Sequence, residues 1–293
     1  MRVTQKMVMD DLVKSLSHIN SRIASLEEKA SSGKRINKPS DDPAAYYKTL
    51  DINSAKNSIT QFETNLSSGK DWLSSTDSAL GSVYDMLVRA KEITLANSND
   101  TVSANERKNA AQEVSGIFEQ VVQTGNTQVG SSFIFGGTEI LSEPFDSDGE
   151  YNGNQANIEI EIDKNKRMVI NCNGKDVFKK DGGEDIFNIL NDLKTGLENN
   201  DKVTIQAQID KLDSAMDQIS DYRANVGAKI NHIDNTSVWF QDSKSRLDVL
   251  LSDNQDADMT EVITDLAREQ TALQATLSSA AKVISYSLVD FLK

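Results

Sequence analysis

The sequence predicts a mainly α-helical protein: a long antiparallel helical coiled-coil or bundle rod formed by both chain ends, with a small antiparallel β insertion at the tip. Three observations carry this expectation. Only three prolines occur, Pro39, Pro43 and Pro144, so residues 44–143 and 145–293 are free of the residue that breaks helix interiors. Apolar residues recur at alternating steps of three and four through most of both halves, the 3.5-residue period of packed helices. Between about 133 and 180 the period changes to two, that of a strand with one covered face.

The first segment carries Leu12, Leu16, Ile19, Ile23, Leu26 and Ala30, which predicts an N-terminal amphipathic arm. It runs into SSGKRINKPSDDP, where glycine, polar residues and two prolines interrupt the pattern. Asp42 followed by Pro43 is an N-cap with proline at the first helical position, so a new helix begins there. Its stripe runs through Ile52, Ala55, Ile59, Phe62, Leu66, Gly69, Leu73, Thr76, Leu80, Val83, Leu87, Ala90 and Thr94, about 80 Å of helix at 1.5 Å per residue. Ser103 with Glu106 has the spacing of a capping box and opens a further helix with Ala110, Val114, Ile117 and Val121 on one face.

In the β stretch, Ile158, Ile160 and Ile162 alternate with polar residues, as do Met168, Ile170 and Cys172. Asn173-Gly174 is a tight-turn signal, and charged residues guard the edges. After Gly182-Gly183 helical spacing returns with Ile186, Ile189, Leu190, Leu193 and Leu197. A second long heptad run then extends from Ile205 to Leu251. The last segment carries Ile263, Leu266, Leu273, Leu277, Ile284, Leu288 and Phe291 as a partner for the first arm. The expected organisation is therefore terminal arms at 1–41 and 252–293, a helical rod domain at 42–138 and 183–251, and a small β domain at 139–182. Gly69, Arg223 and Lys244 interrupt the rod stripes and are candidate points of contact with other subunits.

Chemistry is sparse along this chain. Phosphate-loop, dinucleotide-binding, zinc-protease and nucleophile-elbow motifs are all missing, so no catalytic, cofactor-binding or metal site is expected. His18 and His232, the two histidines, each precede an isoleucine of a stripe and read as polar flanks of a packing seam. Asp146, Asp148, Glu150 and Asn152 alternate as in a calcium loop, but Tyr151 stands where that loop requires glycine, which leaves an acidic turn. Cys172 lies between Asn171 and Asn173, without the basic neighbours that activate a thiol. A formal charge of −14 argues against partners recognised through phosphates or anionic lipid. The start of the chain lacks a signal peptide's apolar stretch, and no segment approaches the ~20 apolar residues of a membrane span. An exterior location would need an export route that reads no cleavable signal.

The rod stripes read as ordinary bundle cores. The arms are different, because five aliphatic side chains cannot offset the entropy of ordering some thirty residues. They are expected to be disordered in the monomer and to order on assembly.

Several segments together resemble the bacterial flagellin superfamily. SLEEKASSGKRINKPSDDPAAYY is similar to the stretch joining the first arm to the rod in that family. RAKEITLANSNDT and NERKNAAQEVSGIFEQVVQTGNTQVGSSFIFGGT resemble its rod helix, turn and return helix, and DADMTEVITDLAREQTALQATLSSAAKVISYSLVDFL its C-terminal arm. The MRVT start, RINKPSDDP, FIFGGT, the SLVDFL ending and the short insertion are more typical of the members that join hook to filament than of flagellins themselves. The resemblance implies a secreted, extracellular structural protein of the flagellum, not an enzyme. It implies a ring of copies of itself between the hook-associated protein FlgK and flagellin, needed for filament assembly and motility. It also implies type III export, with a chaperone on the C-terminal arm. Leu12, Leu16, Ile19, Ile23 and Leu26 are then assembly residues of the first arm. Ile263, Leu266, Leu273, Leu277, Ile284, Leu288 and Phe291 are assembly and chaperone residues of the second. A minor flagellin remains an alternative, and heptads alone would equally serve a cytoplasmic coiled-coil scaffold.

Overall fold

The computed structural model describes residues 5–99, 101–180 and 182–291, with side chains from 7 to 282. The elements are α1 (Gln5–Ser32), α2 (Pro43–Asn97), α3 (Ala104–Gly125), β1 (Gln128–Val129), β2 (Ser132–Phe133), β3 (Glu159–Asp163), β4 (Lys166–Val169), α4 (Gly174–Phe178), α5 (Ile186–Glu198), α6 (Lys202–Gln255) and α7 (Met259–Phe291). The expected class, mainly α with long antiparallel helices and a small β component, is observed. The chain divides into two compact units, Met1–Ser58 with Asp242–Lys293, and Ile59–Gln241. Helices α2 and α6 contribute to both.

In the first unit the motif RINKPSDDP organises the base of the arms. Gly33, at φ +70°, ends α1 in the left-handed conformation that glycine adopts without strain. Lys34 then bridges Asp256, Arg35 N–H donates to Gln255 O at 2.7 Å, and Ala257 N–H donates to Gly33 O at 2.9 Å. Ile36 is buried at 1% exposure beneath this ladder. Asp41 accepts from the Asn37 and Lys38 amides, both at 2.9 Å. Asp42 Oδ1 accepts from Ala45 N–H at 3.0 Å, so the expected N-cap before Pro43 is present. Asn254 Nδ2 donates to Ala45 O and Thr49 Oγ1, and Lys56 pairs with Asp248. These links hold the start of α2 antiparallel to the end of α6. Ala55, placed in the α2 stripe by spacing, is exposed.

In the second unit the heptad positions form the core. Leu66, Leu73, Thr76, Leu80, Val83, Leu87, Ala90 and Thr94 of α2 are buried, as are Ile205, Leu212, Ile219, Val226, Ile233 and Phe240 of α6. Ion pairs Lys70–Asp234, Asp77–Arg223 and Lys91–Asp213 run in opposite senses along the two helices, as antiparallel packing requires. Helix α3 begins at a full capping box between Ser103 and Glu106, as its spacing predicts, and packs on α5.

Structure and sequence expectation part company at three places here. Gly69 is a socket and not a weak point, because a Cβ there would lie 2.5 Å from Ile160 Cδ1. The hairpin β3–β4 packs into that notch in the body of α2, where Asn65 Nδ2 also donates to Glu161 O at 2.9 Å. Arg223 is likewise satisfied within the chain, on Asp77 and over Gly81, and Lys244 has interactions of its own. Finally, Asn173-Gly174 makes no hairpin turn. Asn173 precedes α4, and the hairpin instead reverses at Lys164-Asn165, with Asn165 at φ +63°. Asparagine tolerates that conformation better than most residues.

The β region is held by aromatic packing more than by its short ladders. Phe145 sits 5.1 Å from the rings of both Phe178 and Phe187 and 5.3 Å from Tyr151, while Phe135 meets Phe178 edge-on. The FIFGGT motif delivers part of this core, with Ile134 and Phe135 fully buried. Its second glycine, Gly137, has φ +69°, and a Cβ there would fall 2.2 Å from Asn154 O, so only glycine fits.

Candidate assembly interface

The terminal helices α1 and α7 pack against each other, antiparallel, with the Lys34–Asp256 bridge at the base and an Arg22–Glu269 ion pair further out. All five nominated residues of α1, Leu12, Leu16, Ile19, Ile23 and Leu26, are half-buried, and the residues between them are exposed. The spacing of four and three therefore locates the α1 seam.

On α7 the seam lies one residue off the expected phase. Val262, Glu269 and Ala280 are buried and Leu266, Leu273 and Thr276 half-buried, again in steps of four and three. Leu266 and Leu273 lie in this seam. Ile263 and Leu277 do not, being 57% and 51% exposed. The side chains of Ile284, Leu288 and Phe291 lie outside the described residues. The offset has a plain cause: Glu269 and Thr276 are polar, so the seam that faces α1 looks less apolar in sequence than the one beside it. Val262 and Ala280 were the available signal.

A second set of apolar groups on the arms is thus left exposed. Met7, Val8, Met9 and Val13 on α1 and Met259, Ile263 and Leu277 on α7 are each at least 38% exposed. The α7 start is electrostatically fixed. Asp258 Oδ1 accepts from Thr260 N–H at 2.8 Å and from Glu261 N–H at 3.3 Å. These two amide hydrogen bonds hold its carboxyl below the usual value.

Sequence reasoning also missed a buried residue that joins two turns of the second unit. Arg107, 5% exposed, donates to Asn97 O at 3.1 Å, to Asn99 O at 2.8 Å and to Asn200 Oδ1. It joins the α2–α3 turn to the α5–α6 turn. A basic residue in the amphipathic run NERKNAA gave no sign of burial.

Nothing nominated for chemistry forms a reactive constellation. His18 is exposed on α1 and His232 exposed on α6. Among the described residues no group of three or more His, Cys, Asp or Glu could hold a metal, and no helix is long and apolar enough to cross a membrane. Asp146 instead caps its own turn, accepting from Asp148 and Glu150 amides. Cys172 is buried, and desolvation raises its thiol above the usual value.

Paired terminal helices with a thin shared seam and further exposed apolar side chains fit a helical structural protein. Comparison with known sequences makes this specific. Residues 3–140 match the bacterial flagellin N-terminal helical region and residues 209–292 the bacterial flagellin C-terminal helical region. The chain belongs to the bacterial flagellin family and is a structural component of the flagellum. It is 26% identical to flagellar hook-associated protein 3 of Escherichia coli over the whole of both chains. The same-named protein of Salmonella typhimurium is 25% identical over 98% of each. A flagellar hook-associated protein of Vibrio parahaemolyticus has the same fold, with a TM-score of 0.69 at 22% identity over 74% of this chain and all of that one.

Proposed function

We propose that this chain is the adapter at the hook–filament junction, forming a ring of its own copies between the hook-associated protein FlgK and flagellin. The observation that carries the proposal is the state of the arms. Helices α1 and α7 share one thin seam yet leave Met7, Val13, Ile263 and Leu277 exposed, which suits helices whose remaining apolar surface is covered by neighbouring subunits. The end-to-end likeness to hook-associated protein 3 favours the junction. In this reading 1–41 and 252–293 form the inner tube, 42–138 and 183–251 the surrounding wall, and 139–182 a small outer β domain. The arms are disordered in the free chain and become helical on assembly. The protein is exported to the cell exterior by the flagellar type III route without a cleavable signal, with a chaperone covering the apolar residues of α7 until then.

Likeness to the flagellin helical regions supports a second reading, a minor flagellin, and one strain separates them. Cells lacking the chain should build hooks without filaments and shed flagellin into the medium, with filaments restored by the wild-type chain. Normal filaments of altered composition would instead identify a filament subunit. The same family match accounts for the heptads on which a cytoplasmic scaffold reading rested.

A further inference from the structure

Among the described residues, the seam between α1 and α7 contains one buried charged residue. Glu269 is 9% exposed, with one oxygen on the Arg22 guanidinium and the other, Oε2, buried without a hydrogen-bond partner. Every α1 stripe position from Leu12 to Ala30 is aliphatic. An aliphatic heptad stripe by itself is satisfied equally well after a slip of one heptad, because each apolar residue then meets the next. A buried carboxylate is not, since it is tolerated only beside a cation.

We propose that the Arg22–Glu269 pair is a register determinant of the arms, adding to the base contacts by rejecting the heptad slip that strands Glu269 when copies with identical stripes are packed together. This rests on the reading that the arms order on assembly. Geometry and sequence supply the selectivity. The base contacts at Lys34 and Asp256 tie only one end of the seam, and Arg22 stands 12 residues along α1 from Lys34, about 18 Å at 1.5 Å per residue. A slip one way replaces Arg22 by Ser15, leaving Glu269 buried and unpaired. A slip the other way brings Lys29 to Glu269, and a slip in either direction dismantles the Lys34–Asp256 bridge and the Arg35–Gln255 and Ala257–Gly33 backbone hydrogen bonds, so the ion pair adds to a preference set at the base. Within this set Glu269 and Arg22 are positioning residues, and their contribution is to specificity. A buried ion pair replaced by apolar residues commonly loses no stability, so register and stability should respond differently to substitution.

The test is disulfide trapping in assembled flagella isolated from cells carrying full-length variants, all with Cys172→Ser. The Lys34–Asp256 and Arg22–Glu269 contacts set Ile19 within about two residues of Leu273 in the native alignment, while Leu12 and Leu26 report slips of one heptad in either direction. Such a slip is about 10 Å, too far for the wrong pair to close a disulfide. In the parent background, Ile19→Cys with Leu273→Cys should cross-link and the pairs Leu12→Cys with Leu273→Cys and Leu26→Cys with Leu273→Cys should not. With Arg22→Leu and Glu269→Leu added, the Leu12→Cys with Leu273→Cys product, which reports the slip that strands Glu269, should rise several-fold above its parent level, while the Leu26→Cys with Leu273→Cys product, whose slip is rejected at the base, should stay at its parent level. The swap of Arg22→Glu with Glu269→Arg should restore the native product alone. Native-only trapping in the double-leucine background would overturn the proposal. So would slipped products already present in the parent. Loss of the Ile19/Leu273 product in the parent would overturn the assembly reading beneath it.

Discussion

Replacing Arg107 tests how the second unit is closed. Its guanidinium serves three acceptors, Asn97 O, Asn99 O and Asn200 Oδ1, in a site that is 5% exposed. Arg107→Met keeps the apolar stem and removes the donors, leaving acceptors of two turns desolvated. A buried acceptor that loses its partner costs about 1–3 kcal/mol. The three acceptors are neighbours and one turn can relax toward water, so the expected loss is about 3–5 kcal/mol rather than the sum. For a cooperative unit of this size that corresponds to a fall in Tm of roughly 6–20 °C. Arg107→Lys should recover less than half of the loss, because an ammonium cannot span the fork that reaches both turns. Calorimetry of the full chain would follow the transition, and amide exchange at Asn97, Asn99 and Asn200 would show where it is lost. A Tm within about 2 °C of wild type for Arg107→Met, or full rescue by lysine, would refute this account of the turn contacts.

Further outcomes follow from the same geometry. Gly69→Val should detach the hairpin, since the added Cβ would meet Ile160 Cδ1 at 2.5 Å and a β-branched residue lacks the freedom to evade it in a helix; nuclear magnetic resonance shifts at Ile160 and Ile170 would record it. Phe145→Ala should destabilise the β region by about 3–5 kcal/mol, measured by denaturant unfolding, with the α1 and α7 signals unchanged. The Asp258 carboxyl is held low by the Thr260 and Glu261 amides. Its contribution to α7 is therefore complete above the ordinary carboxylate value and lost as pH falls through the lowered one. Acid titration of assembled material should show the wild-type α7 start fraying in that window and Asp258→Ala already frayed at neutral pH. Tyr151 behaves oppositely. Burial, with Asp176 and Glu139 nearby, pushes its hydroxyl up to about 12, so the stability it contributes is present below pH 10 and is lost between about 10 and 12. Tyr151→Phe should flatten that alkaline limb.

Spacing alone made most of the helical architecture legible, because burial of one face repeats every 3.5 residues whatever the partner. The stripes from Leu66 to Thr94 and from Ile205 to Phe240, the Ser103–Glu106 box and the Asp42–Pro43 start all belong to that local grammar. What escaped depends on contacts between distant segments. Gly69 looks like a defect until Ile160 is beside it, and Arg107 looks solvent-facing until the α5–α6 turn covers it. The hairpin reversal at Lys164-Asn165 carries no glycine to announce it, whereas Asn173-Gly174 announces a turn that is spent on starting α4. The aromatic core could have been suspected, since five of the nine phenylalanines, Phe133, Phe135, Phe145, Phe178 and Phe187, fall between 133 and 187. In the arms the α1 seam was readable because it is wholly aliphatic. The α7 seam was not, because Glu269 and Thr276 interrupt it and Ile263 and Leu277 decorate the face beside it.

The central claim is that the arms gain their order from assembly. Amide exchange of residues 1–35 and 260–293, compared between micromolar monomer and assembled flagella, tests it most directly. The account predicts exchange near the unprotected rate in the monomer and protection of both segments once assembled, with residues 59–241 protected in both states. Strong protection of the two terminal segments in the monomer would contradict it.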